Sequence, residues 1–343
     1  MALEAADIAD LVSSTLNDLG RMKLTDISGD LQEYVAFQEI FKKERVTFDS
    51  GKAISFNLID DDNDQAAFTG LYQVDNYGVN DVLTSGSVPW RYGNFNYSWD
   101  NHEIDMNAAS SERVLDLVKV RRIAAFIAWA KLIETAFWGK PADSTDKTTP
   151  FGIDYYVVKN ATEGFNGGNP SGLSSGAAGI SSTTQTRWAN WTAQYTNMTK
   201  TDLIRKMRQA AVKTKFVPPV EINQYSTGDR YGYYTNYDVI QGLEEVLEDQ
   251  NENLGNDIAS KDGALMFRKR PMRYVSELDS DSQDPVYGIN WGVFKTVFLR
   301  GWYMKEAKAR TAPNQHNVTV VDNDSTFNWL CYNRRSLFIV NKA

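Results

Sequence analysis

The 343-residue chain has one cysteine, Cys331, and two histidines, His102 and His316. A single cysteine excludes an intrachain disulfide and fits a reducing compartment. Three such residues also leave no zinc site of ordinary His and Cys ligands. His102-Glu103 opens like a zinc-binding HExxH helix, but Met106 stands where the second histidine belongs. Long apolar runs are missing too. The longest, residues 124–130, is far too short to cross a bilayer, so no membrane partner is expected. The first ten residues, MALEAADIAD, lack the basic and apolar regions of a secretory signal.

Other chemistry fails on spacing. Between Gly164 and Gly179 there is neither GxxxxGK[ST] nor a GxGxxG after a strand, which reads as flexible loop and predicts no cofactor. Asp60, Asp62 and Asp64 match the first acidic positions of a calcium loop. Gln65 then replaces its glycine and Leu71 its bidentate glutamate. A solvated acidic turn is the reading, with a weak divalent-ion contact as the alternative. Cys331 sits in Trp329-Leu330-Cys331-Tyr332, the setting of a buried structural thiol. Carboxylates are abundant, yet nothing singles out a glycosidase-like pair. No catalytic, cofactor-binding or metal-binding residue is assigned, and no enzyme is expected.

What is present is aromatic and acidic. Phe, Trp and Tyr make up 12% of the chain, and the net charge is −8. Large aromatic side chains are favoured where much surface must be buried, in cores or between subunits. The charge argues against a dedicated nucleic-acid binder, whose affinity rests on neutralising phosphates, but not against enclosing nucleic acid. Length predicts about two domains with a sizeable core.

The longest helical pattern runs from Ser110 to Gly139. Ser110 or Ser111 can cap it, and Gly139 with Pro141 stops it. Ile123, Phe126, Ile127, Ala130, Ile133 and Phe137 mark one apolar face. At 1.5 Å per residue this helix would be roughly 40 Å long. Before it, residues 2–44 read as two amphipathic helical pieces. Residues 45–105 then alternate with period two. One hairpin is expected around Asp49-Ser50-Gly51-Lys52, and a second, aromatic one around Gly93-Asn94. The second would carry Trp90, Tyr92, Phe95, Tyr97 and Trp99. A two-stranded arm with large residues on both faces cannot bury them on itself, so other chains are expected to cover it.

After the helix, residues 160–197 read as a long surface loop rich in Gly, Ser, Asn and Thr. A helix is predicted over 201–215 and another from Asn236 to about Leu254. Strands are predicted at 231–235, 265–267, 272–278, 293–300, 318–321 and 330–340. The first of these helices carries Lys200, Arg205, Lys206, Arg208, Lys213 and Lys215, and a second basic cluster is Arg268-Lys269-Arg270 with Arg273. Both read either as contacts to nucleic acid or an acidic surface, or as solvated faces paired with Glu244, Glu245, Glu248 and Asp249.

In this order of parts the chain resembles the major capsid proteins of tailed bacteriophages, the Hong Kong 97 type of α+β fold. The likeness rests on Val88-Pro89-Trp90-Arg91, Ser110-Ser111-Glu112-Arg113-Val114, Trp138-Gly139-Lys140-Pro141 and Thr149-Pro150-Phe151-Gly152-Ile153. Residues Asp284 to Trp291 and Cys331-Tyr332-Asn333-Arg334-Arg335 add to it. It implies an N-terminal arm at 1–44, a β-hairpin E-loop region at 45–106 and a peripheral domain with spine helix at 107–220. An axial domain at 221–290 and a return to the peripheral domain at 291–343 would follow.

The resemblance further implies a virion shell of pentamers and hexamers, assembled in the host cytoplasm around double-stranded DNA that is enclosed without sequence-specific binding. A portal protein and a decoration protein are its implied partners. Candidate inter-subunit contacts are Trp90, Tyr92, Phe95, Tyr97, Trp99, Arg121 and Arg122. With 44 residues before the hairpin region, a separate scaffolding protein is expected. No lysine lies between Lys52 and Lys119, so isopeptide crosslinks from the exposed hairpin are not expected. The alternatives are an encapsulin-type nanocompartment shell, a β-rich carbohydrate-active enzyme or binding module, and a tail component.

Overall fold

The computed structural model describes residues 34–61, 65–72, 74, 78, 81–106, 111–215, 230–251 and 265–343. Most of the helical stretch expected at 2–44, Asp62, Asp64, the Ser110 cap and the end of the helix expected to reach Leu254 lie outside the described residues. A π-helical segment α1 (Ala36–Lys43) leads into β1 (Arg45–Phe48), β2 (Ala53–Ile59), β3 (Leu83–Pro89) and β4 (Arg91–Asp100). Then come α2 (Asn101–Met106), α3 (Ser111–Trp138), α4 (Ile153–Tyr156), β5 (Trp191–Tyr195) and α5 (Leu203–Lys213). The chain continues through β6 (Tyr231–Thr235), α6 (Tyr237–Asn251), β7 (Met266–Phe267), β8 (Arg270–Tyr274), β9 (Val286–Asn290) and β10 (Phe294–Leu299). It ends with β11 (Lys305–Glu306), β12 (Arg310–Ala312), β13 (Gln315–Cys331) and β14 (Phe338–Lys342).

The strands form two six-stranded sheets and a ribbon. The first sheet is built on the 17-residue β13, which pairs antiparallel with β4 on one side and with β10, β11 and β12 on the other. The parallel neighbour of β10 is β1. The second sheet runs β5-β14-β9-β6-β8-β7, and β2 pairs only with β3. Residues 191–195 and 338–342 thus share a sheet with β6, β8 and β9.

Both predicted hairpins are paired differently. Arg45–Phe48 lies against Thr296–Leu299 instead of turning back on residues 54–58. The chain leaves β1 through Gly51, whose φ of +143° suits glycine, and enters the ribbon. Gly93-Asn94 is not a turn at all but the middle of β4. Helix α3 crosses the sheet there, and a Cβ on Gly93 would lie 2.2 Å from the Trp129 ring. That glycine admits a helix rather than a reversal. The ribbon's strands are instead the two on either side of residues 60–82.

Helix α3 spans 28 residues, as the capping and stop signals predict. Its buried face is Trp129, Ala130, Ile133, Glu134, Phe137 and Trp138, while Ile123 is 43% exposed. Of the expected apolar face, Phe126 is partly covered by Phe95 and full burial begins at Trp129, where β4, α1 and the 3₁₀ turn at 276–280 meet the helix. Aromatic rings fill that junction. Phe41 sits edge-on to Phe298, Phe327 and Trp129 with ring centres 4.9, 5.2 and 6.0 Å apart. Offset and edge-on ring pairs of this kind add about 0.5–1.5 kcal/mol each beyond their buried area.

The glycine- and serine-rich stretch is not the surface loop expected. Leu173, Ala177, Ala178, Ile180, Trp188 and Ala189 are buried, and β5 follows directly. Its centre is Arg334, fully buried, which donates to the carbonyls of Tyr156, Trp188 and Gly168 at 2.8–2.9 Å. Burial lowers its pKa to about 10. An arginine fits here because its fork of donors can satisfy several loop carbonyls that no strand reaches. The predicted strand at 330–340 is broken at this point, since Arg334–Ser336 forms a 3₁₀ turn between β13 and β14.

Candidate functional site

Among the described residues, no group of three or more His, Cys, Asp or Glu side chains is placed to hold a metal ion. Cys331 is fully enclosed, and burial pushes its thiol up to about 12, which leaves it no nucleophile at neutral pH. His102 reaches Asn317, with Nε2 and Nδ2 2.7 Å apart, and is not grouped with other ligands. The geometry with functional content lies at the ribbon and at the root of the N-terminal arm.

The ribbon has a held base and a bare tip. On its inner face Ile54, Phe56 and Val88 are buried, and Gly86 faces the Phe56 ring so closely that a Cβ would lie 2.6 Å from it. Ser87 N–H donates to the Ala178 carbonyl at 2.9 Å, and Phe56 lies near the rings of Trp188 and Tyr332, each 6.1 Å away. Beyond Ile59 and Leu83, each 62% exposed, the apolar support ends and Arg187 pairs with Asp61 at 3.5 Å. Phe68, Leu71, Tyr72 and Val74 are then at least 90% exposed. Apolar side chains gathered on one protrusion mark a contact surface, unlike those scattered singly over a surface.

The seven expected contact residues divide. Trp90, Phe95 and Tyr97 are buried by their own chain, the middle one stacked on Trp129 at 5.2 Å. Trp90 Nε1–H donates to the Gly51 carbonyl at 2.9 Å. Trp99 is partly covered and stacks on Tyr97 at 6.1 Å. Only Tyr92, at 77%, stands free, on the rim of a cavity of about 520 Å³ also lined by Arg91, Phe151, Tyr155 and Leu173. Arg121 pairs with the buried Glu103 at 2.7 Å, and Arg122 with Glu306 at 2.7 Å. Glu306 also accepts from Tyr97 Oη, and burial together with that bond raises the phenol to about 12. The reasoning that the aromatic strand needs foreign surface is thus corrected. Strand β4 faces its own helix, and the exposed residues lie in the connection between β2 and β3. The available signal was Phe68, Leu71 and Val74 inside that connection.

At the arm root, Glu134 is completely buried. Its Oε2 accepts from the N–H groups of Ala36 and Phe37 at 2.8 and 3.2 Å, and its Oε1 from Trp138 Nε1 at 2.9 Å. The carboxyl therefore fills orphan donors at the start of α1 and ties α1 to α3. Burial lifts its pKa to about 7 against those three hydrogen bonds, with Glu277 adding to the rise.

The fold has counterparts among solved structures. A capsid protein of Cyanophage A-1(L) is similar over 95% of this chain and 98% of its own, with a TM-score of 0.56 and 16% identity. The capsid of an empty GTA particle gives a TM-score of 0.57 at 10% identity, over 93% and 100% of the two chains. The holo-SrpI encapsulin complex of Synechococcus elongatus gives 0.51 at 6% identity, over 99% and 96%. No family model matches the chain, and no curated protein matches it. The chain thus has the α+β Hong Kong 97 type fold of tailed-phage capsid proteins, matched over nearly its full length.

Proposed function

We propose that this protein is a structural, non-enzymatic shell subunit, a major capsid protein that assembles as pentamers and hexamers into an icosahedral virion shell around double-stranded DNA. The observation that carries the reading is the bare apolar tip of the ribbon, where Phe68, Leu71, Tyr72 and Val74 gather on one protrusion. A ribbon of two strands cannot cover such a tip, and a neighbouring copy can. Candidate inter-subunit contacts are then Phe68, Leu71, Tyr72 and Val74, with Tyr92 retained from the seven residues first considered. Partners of this shell are a scaffolding protein, a portal and a decoration protein, with assembly in the host cytoplasm. The DNA is enclosed without sequence readout, in keeping with a net charge of −8.

The encapsulin likeness supports a second reading, a closed shell around protein cargo. Electron microscopy of the expressed protein, alone and with its scaffolding protein, tests the first. Closed icosahedral shells are expected, and discrete monomers under every condition would sink it. Protein cargo in purified native particles, in place of DNA, would favour the second.

A further inference from the structure

Helices α5 and α6 contribute to one apolar cluster on the second sheet, through Leu203, Met207, Ala210 and Ala211 of α5 and Val239 and Leu243 of α6. Their outward faces are opposite in charge. On α5, Arg205, Arg208 and Val212 are exposed at intervals of three and four, which sets them in one stripe. The second basic cluster of the sequence folds onto this stripe. Arg268, in the turn between β7 and β8, donates to the carbonyls of Arg208 and Ala211 at 3.3 and 3.4 Å, with Lys269 exposed beside it. On α6, Asp238, Gln241 and Glu245 are exposed at the same intervals. Among the described residues no ion pair joins the two faces, and Arg205, Arg208, Asp238 and Glu245 make none at all. Among the described residues, pairing of Arg205 and Arg208 with Glu244 or Glu245 inside one chain is not what the fold builds.

We infer that the basic stripe of α5 and the β7–β8 turn docks on the acidic stripe of α6 in a second copy of this chain. The inference rests on the shell reading proposed above. Equal spacing on two helices lets opposite charges meet along a line, and Val212, 58% exposed within the basic stripe, adds apolar contact there. Each copy offers a basic face to one neighbour and an acidic face to another. Such head-to-tail contacts generate rings when the rotation closes. A nucleic-acid backbone is the less suitable occupant, since an apolar side chain interrupts the stripe and the chain itself carries the complement.

The test is assembly of full-length protein with two charge-reversed variants, Arg205→Glu/Arg208→Glu and Asp238→Arg/Glu245→Arg, and with all four changes together. All four positions are exposed, so thermal unfolding midpoints should match the wild type, and circular dichroism checks this. Each double variant is expected to lose about tenfold or more of its assembled particles, because like charges then face each other across the contact. The fourfold variant is expected to recover them. Normal assembly of either double variant, or no recovery in the fourfold variant, would overturn the inference. Normal shells with less packaged DNA in Arg205→Glu/Arg208→Glu would assign the stripe to nucleic acid instead. Failure of the wild type to form particles would count against the shell reading itself.

Discussion

The body around Trp129 and the ribbon of β2 and β3 use the same alternating pattern, and they end in opposite states. In the body, Phe95 meets Trp129 and Phe126, and Phe41 meets Trp129, Phe298 and Phe327. In the ribbon the inner face is covered as far as Phe56 and Val88, and beyond residue 59 Phe68, Leu71, Tyr72 and Val74 are open to solvent. The difference follows from what each strand has behind it. Strand β4 is backed by a helix and flanked by a 17-residue strand, whereas the ribbon pairs only with itself. Alternation marks a strand with a face to bury, and tertiary neighbours decide whether that face is buried by the same chain.

The comparison can be broken first in the body. Replacing Arg334 with methionine should cost about 3–5 kcal/mol in chaotrope unfolding, because buried carbonyls of Tyr156, Trp188 and Gly168 lose their donors. A loss below about 1 kcal/mol would show that this arginine does not hold the loop. At the arm root the effect depends on pH. A carboxyl whose folded pKa of about 7 exceeds its unfolded value of 4.5 leaves stability complete below pH 4.5 and removes it as pH rises through 7. The wild type should lose roughly 2–4 kcal/mol across that window relative to Glu134→Gln, measured by unfolding at pH 5 and pH 8. Parallel pH profiles in the two proteins would contradict this. Gly93→Ala is expected to cost about 1–3 kcal/mol, since its methyl meets the Trp129 ring. An unchanged midpoint would mean that helix α3 can yield there.

Much of this was legible in the residues. The capping serine, the spacing of Ala130, Ile133 and Phe137 and the Gly139 stop announce α3, and Tyr231–Thr235 forms the strand its aromatic pattern predicts. Pairing was not legible. Gly93-Asn94 has the chemistry of a turn, and only the helix lying over it shows why a glycine belongs inside a strand. Parallel pairing of β1 with β10 joins residues some 250 positions apart, beyond any local signal. Arg334 looked like part of a basic doublet, because sequence does not reveal which arginine will be surrounded by carbonyls. For the contact surface, the aromatic residues drew attention to β4 and away from the tip, where the apolar side chains are fewer but uncovered.

Two further tests act on the ribbon, where effects on stability are smallest. With no lysine from residue 53 to 118, denaturing electrophoresis of assembled particles should show a single band at the monomer position. A ladder of covalent multimers would contradict that. The most direct measurement replaces Phe68, Leu71 and Tyr72 together with serine and follows both folding and assembly, by thermal unfolding and by electron microscopy. Because these side chains are almost fully exposed, the subunit should keep its stability within about 0.5 kcal/mol and fail to form closed shells. Closed shells in wild-type yield from this variant would contradict the claim that the ribbon tip is the surface one copy offers to the next.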